Sequence, residues 1–264
     1  MVKTMLVAGK DLPAGNKFVD AITFTGRNVV ATGTESEVEI SSEQENDTDD
    51  DTAQKIQSAK GFTAVEWNRA SSLSARTLVL QTENAFDSMD EVVLFFDEPY
   101  FASLAAKMDA GECSRACDEL ISGFQYLTLE VIARFEKKRA GGSNPGKLVF
   151  LLQEGPCMVD ALRSPLLRNG STAIASPLVA AAAGAFASFA ENIAAVYGDL
   201  DYISIVLVRG DHGMESAKSD DALAKWLGAY LDAVDQLKSK LTAKKSIQWV
   251  KPGTKSPSGF SLFK

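Results

Sequence analysis

Short apolar runs alternate along this chain with longer stretches in which apolar positions recur every three or four residues. Val92 to Phe96 (VVLFF), Lys147 to Leu152 (KLVFLL) and Ile203 to Val208 (ISIVLV) are the strongest runs. Near-continuous runs of this length mark strands covered on both faces, as in a parallel sheet. Met5 to Ala8, Asn28 to Ala31, Thr63 to Trp67 and Ile247 to Val250 read as weaker strands. The intervening period is helical. Cys117 to Lys138 lines Leu120, Ile121, Phe124, Leu127, Val131 and Phe135 along one side. Leu223 to Leu241 does the same with Leu227, Leu231, Val234, Leu237 and Leu241. Ser72 to Ala85 carries Leu73, Arg76, Thr77 and Leu80 at helical spacing, and Lys10 to Gly26 holds a weaker helical pattern. Gly141 to Gly146 and Gln153 to Ala175 read as loops.

The longest helical stretch opens at Ser176, a capping serine, with Pro177 at the first helical position, and closes at Gly198. Phe186, Phe189, Ile193 and Tyr197 share one face, while Ala180 to Ala183, Gly184, Ala185 and Ala187 leave the first turns almost bare. Such turns admit a close backbone neighbour and offer nothing that moves a proton or holds a phosphate. Strands alternating with helices, with no repeat and no linker, predict one α/β domain over residues 1–264. Its architecture is a doubly wound, mostly parallel sheet between two helical layers. In such sheets the ligand crevice lies outside the carboxyl ends of the strands. Those ends are Gly9-Lys10, Thr32-Gly33, Asp97-Glu98-Pro99, Gln153-Glu154-Gly155 and Arg209-Gly210.

Composition narrows the function classes. A net charge of -8 argues against a general nucleic-acid or anionic-membrane surface. No run is long and apolar enough on its own to predict a membrane span, and MVKTMLVAGK does not read as a signal peptide. Cys113, Cys117 and Cys157 are sparse and odd in number, so reduced thiols and a cytoplasmic location are expected. A lone histidine, His212, argues against a histidine-based metal site. Glu35 to Asp51 holds nine carboxylates and no Lys or Arg. It reads as a solvated loop; a calcium site is the alternative, but the EF-hand spacing and its glycine are missing.

Other chemistries find thin support. His212 follows a strand end, where a general base and an idle loop histidine are both open readings. Cys157 also follows a strand end but has no evident basic partner. Cys113 and Cys117 are four apart, which one helical turn would bring together, yet two cysteines alone make a weak metal set. No GxSxG elbow and no phosphate-binding GxxxxGK[ST] loop is present.

The order of elements, the helix ending AAVYG, the GKLVFLL strand and the IVLVRG strand resemble the short-chain dehydrogenase/reductase family over nearly the whole chain. The resemblance implies a Rossmann-like three-layer fold, a nicotinamide dinucleotide at the strand ends, and dimers or tetramers built by pairing helices. Here those helices correspond to 117–138 and 177–197. It also implies a TGxxxGxG loop and a tyrosine–lysine pair, in which lysine lowers the tyrosine's pKa and tyrosine exchanges the proton.

This chain departs from all of these motifs. After Gly9 the next glycine is Gly15, with Pro13 between them. Asp97 and Glu98 stand where Asn-Ala-Gly is usual, and Gln153, Glu154 and Gly155 stand near the serine position; Ser164, Ser171 and Ser176 lie nearby without support. Matching AAVYG puts Val179 at the tyrosine position and Ala183 at the lysine position, and Leu178 to Ala187 has no ionisable side chain. The expectation is a dehydrogenase-fold protein without the reaction, which acts by binding or assembly and has no catalytic residues and no required cofactor. The alternative is an NAD(P)-dependent oxidoreductase with an altered site. Its cofactor would contact Gly9, Lys10, Gly15, Asp97, Glu98, Gln153 or Gly210. NAD is the expected form, because the acidic stretch after Gly33 disfavours the extra phosphate of NADP.

Overall fold

The structure is a computed structural model that describes residues 2–33, 61–104, 108–141, 144–164, 167, 173–211, 213–237 and 242–255. The acidic stretch 35–51 and His212, singled out above, lie outside the described residues.

Seven parallel strands form one sheet: β1 (Thr4–Ala8), β2 (Asn28–Thr32), β3 (Phe62–Val65), β4 (Glu91–Asp97), β5 (Gly146–Glu154), β6 (Ile203–Asp211) and β7 (Trp249–Val250). Their spatial order is β3-β2-β1-β4-β5-β6-β7. The winding direction reverses between β1 and β4, so the crevice of a doubly wound sheet falls between their carboxyl ends. The central strands are buried along almost every residue, which explains why their sequences run apolar without alternation.

Two cores lie on the two faces. One packs α2 (Ser72–Phe86), α5 (Gly123–Ala140) and α7 (Pro177–Tyr197) through Phe96, Phe124, Phe150 and Phe186. The other packs α1 (Asn16–Thr23) and α8 (Asp220–Asp235) through Phe18, Phe95, Leu227 and Leu231. The Ser176 hydroxyl accepts the Val179 amide, so the predicted cap starts α7. Among the described helices α7 is the one long and apolar enough to cross a membrane, but it packs on the sheet through Val179, Ala182, Ala183, Phe186 and Ala190.

Several elements differ from expectation. The helix expected from Cys117 begins earlier, as α4 (Ala110–Ala116), and reaches α5 through one wide π-helical turn, Cys117–Ser122. The loop after β5 contains a short helix, α6 (Met158–Arg163). Helix α8 ends at Asp235, and Leu241 lies outside the described residues. A 3-10 turn (Glu215–Ala217) precedes α8, and α9 (Ala243–Ser246) precedes β7. In α2 the stripe at helical spacing is the outer one: Leu73 is 71% exposed, while Ala75, Leu78, Val79 and Thr82 face the core.

The amino end of the sheet is closed by a buried ion network. Glu91, at 0% exposure, accepts from Arg27 Nε at 2.6 Å and Lys147 Nζ at 2.8 Å. Asp232 and Asp235 of α8 add bonds to Arg27, Lys147 and Lys3. Burial pushes the two aspartates up, but hydrogen bonds from Lys3, Arg27 and Lys147 outweigh it and hold both below the usual carboxylate range.

Removing Glu91 would leave the buried Arg27 and Lys147 with only the half-exposed Asp232 and Asp235 as partners. Glu91→Ala is expected to lower unfolding free energy by about 3 kcal/mol, against less than about 1 kcal/mol for Lys3→Ala at the solvated margin. Urea unfolding measures both. Because the folded pKa values of Asp232 and Asp235 are depressed, their contribution is present above about pH 4 and lost as pH falls through the folded values. In Asp232→Asn the acid-side loss of stability is expected to shrink.

Candidate functional site

The crevice between β1 and β4 is built on the turn after β1. Gly9 has φ of +120°, and a Cβ there would lie 2.3 Å from the Phe95 carbonyl oxygen, so only glycine fits. The turn brings Lys10 over the sheet end. Its Nζ lies 2.6 Å from Asp97 Oδ2, at the end of β4, and 2.7 Å from Asp220 Oδ2, in the first turn of α8. All three side chains are largely buried. Burial works against the ammonium, yet the two carboxylates outweigh it and hold Lys10 above the ordinary lysine pKa. Lys10 therefore stays charged and paired.

A second cation fills the neighbouring space. Arg69, which follows β3, donates through one Nη to the Gly9 carbonyl at 2.7 Å and to Asp11 Oδ2 at 2.5 Å. Its guanidinium lies 5.4 Å from the Trp67 ring centroid and 5.3 Å from that of Phe101. Thr32 Oγ1 donates to the other Asp11 oxygen at 2.5 Å. Tyr100, on α3 (Glu98–Leu104), is the tyrosine at this crevice. Burial and the Asp11 charge push its phenol up, against the opposing pull of Arg69. A proton-exchanging tyrosine needs the opposite shift.

The loop's own chain takes amides that an anion would need. Gly15 N–H donates to the Asp11 carbonyl at 3.0 Å and Asn16 N–H to the Pro13 carbonyl at 3.1 Å. Pro13 has no amide proton, and a Cβ on Gly15 would sit 2.6 Å from the Lys10 carbonyl oxygen. Gly15 thus serves the tightness of the turn. The β6–α8 connection lies across the same end. Gln153 is 1% exposed and donates through Nε2 to the Ala217 carbonyl at 3.2 Å, and Ala217 is itself buried. Gly210 packs against Pro252, inside the wall of the site.

Toward β5 and β6 the polar groups are mostly acidic. Glu98 accepts the Gly155 amide at 2.8 Å. Burial pushes its pKa up, assisted by the nearby Glu154 and Asp97 charges, against the lowering effect of the Gly155 amide and Arg209. Arg209 is taken by Glu154 at 2.5 Å. Cys157 Sγ donates to Asp160 Oδ2 at 3.0 Å, so the thiol is tied to its own helix cap. Ser164 follows α6 and Ser171 lies outside the described residues.

Val179 and Ala183 are 0% and 4% exposed on the sheet side of α7, within the aromatic core that includes Phe96 and Phe186. The structure thus gathers Gly9, Lys10, Gly15 and Asp97 at one crevice, with Glu98, Gln153 and Gly210 along its far side. Arg69, Tyr100 and Asp220 complete it, and sequence reading missed them. Tyr100 had a local signal, since it stands three residues past the end of the strongest strand. Arg69 and Asp220 come from distant turns and had none.

A polar hollow of about 550 Å³ lies elsewhere, lined by Glu83, Asp87, Arg134 and Lys138. Arg134 is held by Glu83 and Lys138 by Asp90, so it is not an open anion site. Among the described residues no group of three or more His, Cys, Asp or Glu side chains could hold a metal ion.

The chain is similar in fold to a short chain dehydrogenase from Mycobacterium smegmatis, with TM-score 0.61 and 15% identity over 96% of this chain and 92% of that one. A 3-ketoacyl-(acyl-carrier-protein) reductase from Brucella melitensis, solved with NADH, matches at TM-score 0.51 and 15% identity over 79% of this chain and 75% of that one. An NADH-dependent reductase, A1-R', matches at TM-score 0.51 and 14% identity over 80% and 77%. The architecture is therefore that of the short-chain dehydrogenases/reductases. An uncharacterized protein of Treponema pallidum (strain Nichols) is 27% identical over 194 residues, 73% of this chain and 74% of that protein. No protein-family model matches the chain.

Lys10→Met would leave Asp97 and Asp220 facing each other without a cation. It is expected to cost about 3 kcal/mol in urea unfolding. Lys10→Met combined with Asp97→Leu should recover part of that loss. A single variant as stable as the parent would contradict the buried-pair reading.

Proposed function

We propose that this dehydrogenase-fold protein does not transfer hydride and acts instead by binding or assembly. The carrying observation is that the crevice cations are neutralised by the protein's own carboxylates, Lys10 by Asp97 and Asp220 and Arg69 by Asp11. A pyrophosphate would meet Asp11, Asp97, Glu98 and Asp220 and would have to displace them from their cations. Val179 and Ala183 in the aromatic core support the same reading, because neither position offers a proton donor.

Assembly would use the outer faces of α5 and α7, as the family resemblance implies. Tyr126 and Leu129 are exposed on α5. On α7 Ala181, Gly184 and Ser188 face outward, and a Cβ on Gly184 would meet nothing within 4 Å. A partner helix could approach closely there, and the reading is a homodimer, or a tetramer, of a cytoplasmic protein. The competing reading is an NAD-dependent oxidoreductase with an altered site, favoured by the NADH named for two of the structural neighbours.

Calorimetric titration of the purified protein with NAD, NADH, NADP and NADPH, each to millimolar concentration, separates the two readings. No binding heat is expected for any of them. Saturable binding of one form would sink the proposal and direct attention to Tyr100 and Thr32, the hydroxyls beside Asp11. Sedimentation at micromolar concentration is expected to give a dimer that Leu129→Arg splits; a monodisperse wild-type monomer would remove the assembly claim.

A further inference from the structure

Two thiols outside the crevice have no part in the reading above. Cys113 lies in α4, and Cys117 opens the π-helical turn that follows it. The Cys117 amide donates to the Cys113 carbonyl, so the chain between them is one intact helical turn. Side chains four residues apart on such a turn point the same way, with Cβ atoms about 5–6 Å apart. Both cysteines are exposed and free. Backbone geometry thus places two unpaired sulfurs side by side, facing solvent.

That arrangement is chemically selective. Metal–sulfur bonds of about 2.3 Å call for sulfurs about twice that far apart in a linear pair, a span two cysteine side chains can close from these Cβ positions. A closed tetrahedral zinc site needs four protein ligands. Among the described residues no third His, Cys, Asp or Glu completes one here. Two thiolates and no hard ligand select a soft ion satisfied by two-fold coordination, of which Cu(I) is the biological case. Surrounding charge also favours a cation: Asp109, Glu112 and Glu119 lie within about a turn on either side of the pair, with Arg115 bonded to Glu112. The π-helical turn that begins at Cys117 is a local distortion of a kind often found at functional sites.

We propose that Cys113 and Cys117 form a two-thiolate site for one soft monovalent metal ion per chain, with Cu(I) as its ligand class. Binding forms two metal–sulfur bonds and releases the two thiol protons to solvent, with no change of oxidation state. Affinity therefore falls as pH is lowered. None of the crevice side chains belongs to this site, and its test does not depend on whether the crevice binds a cofactor.

The experiment is an anaerobic titration of the reduced full-length protein with Cu(I), in competition with a chromophoric Cu(I) chelator. Near-ultraviolet copper–thiolate absorption reports the bound ion. One Cu(I) per chain is expected for the wild type and for Cys157→Ser. Cys113→Ser and Cys117→Ser should each weaken binding at least about 100-fold, the loss expected when a two-point attachment becomes a single one. Both substitutions are at exposed positions, and matching circular dichroism melts would show that the fold is retained. Three results would overturn the proposal: single variants that keep wild-type affinity, loss of binding in Cys157→Ser, or one ion shared between two chains.

Discussion

A parallel sheet covered on both faces leaves only its two ends for charge, and in this protein buried ion networks close both. At the amino end Glu91 draws Arg27 and Lys147 out of water, and Asp232 and Asp235 complete the balance. At the carboxyl end Lys10 is shared by Asp97 and Asp220, and Arg69 is held by Asp11 and the Gly9 carbonyl. Each network ties strands to the loops and helix that bridge them. Losing one member leaves the others as uncompensated charge, which is far more costly than losing a surface pair.

The two networks differ in what they mean. The amino-end cluster holds the architecture together and would suit any protein of this shape. The carboxyl-end cluster lies where such sheets receive ligands. Cations that could face an incoming phosphate face protein carboxylates instead. With the amides of Gly15 and Asn16 bonded within the turn and Ala217 packed over Gln153, the end of the sheet resembles a finished interior more than an open receptor.

Much of the fold was legible in the sequence because it rests on periodicity. The buried strands gave continuous apolar runs, and α7 was bounded by its serine cap, proline and glycine. The face of α2 was misleading because Leu73 and Leu80 point outward while smaller Ala75 and Thr82 pack inward. The π-helical turn left no trace in the spacing of Leu120 and Phe124. At the crevice the absence of an ionisable side chain from Leu178 to Ala187 was readable residue by residue. The contacts of Arg69 and Asp220 there were not, since those side chains arrive from turns far from Gly9 and only the folded topology brings them together.

The Glu91 cluster also bears on the order in which the chain can fold. Lys3 and Asp232 are bonded across a sequence separation of 229, so the start of the chain and the last long helix share one ion network. During synthesis β1, β2 and β4 emerge long before α8, and Arg27 and Glu91 cannot complete their network until it arrives. Non-local closure of this kind slows folding and lengthens the life of incomplete species. The domain is therefore expected to reach its final state only once the ribosome has released α8.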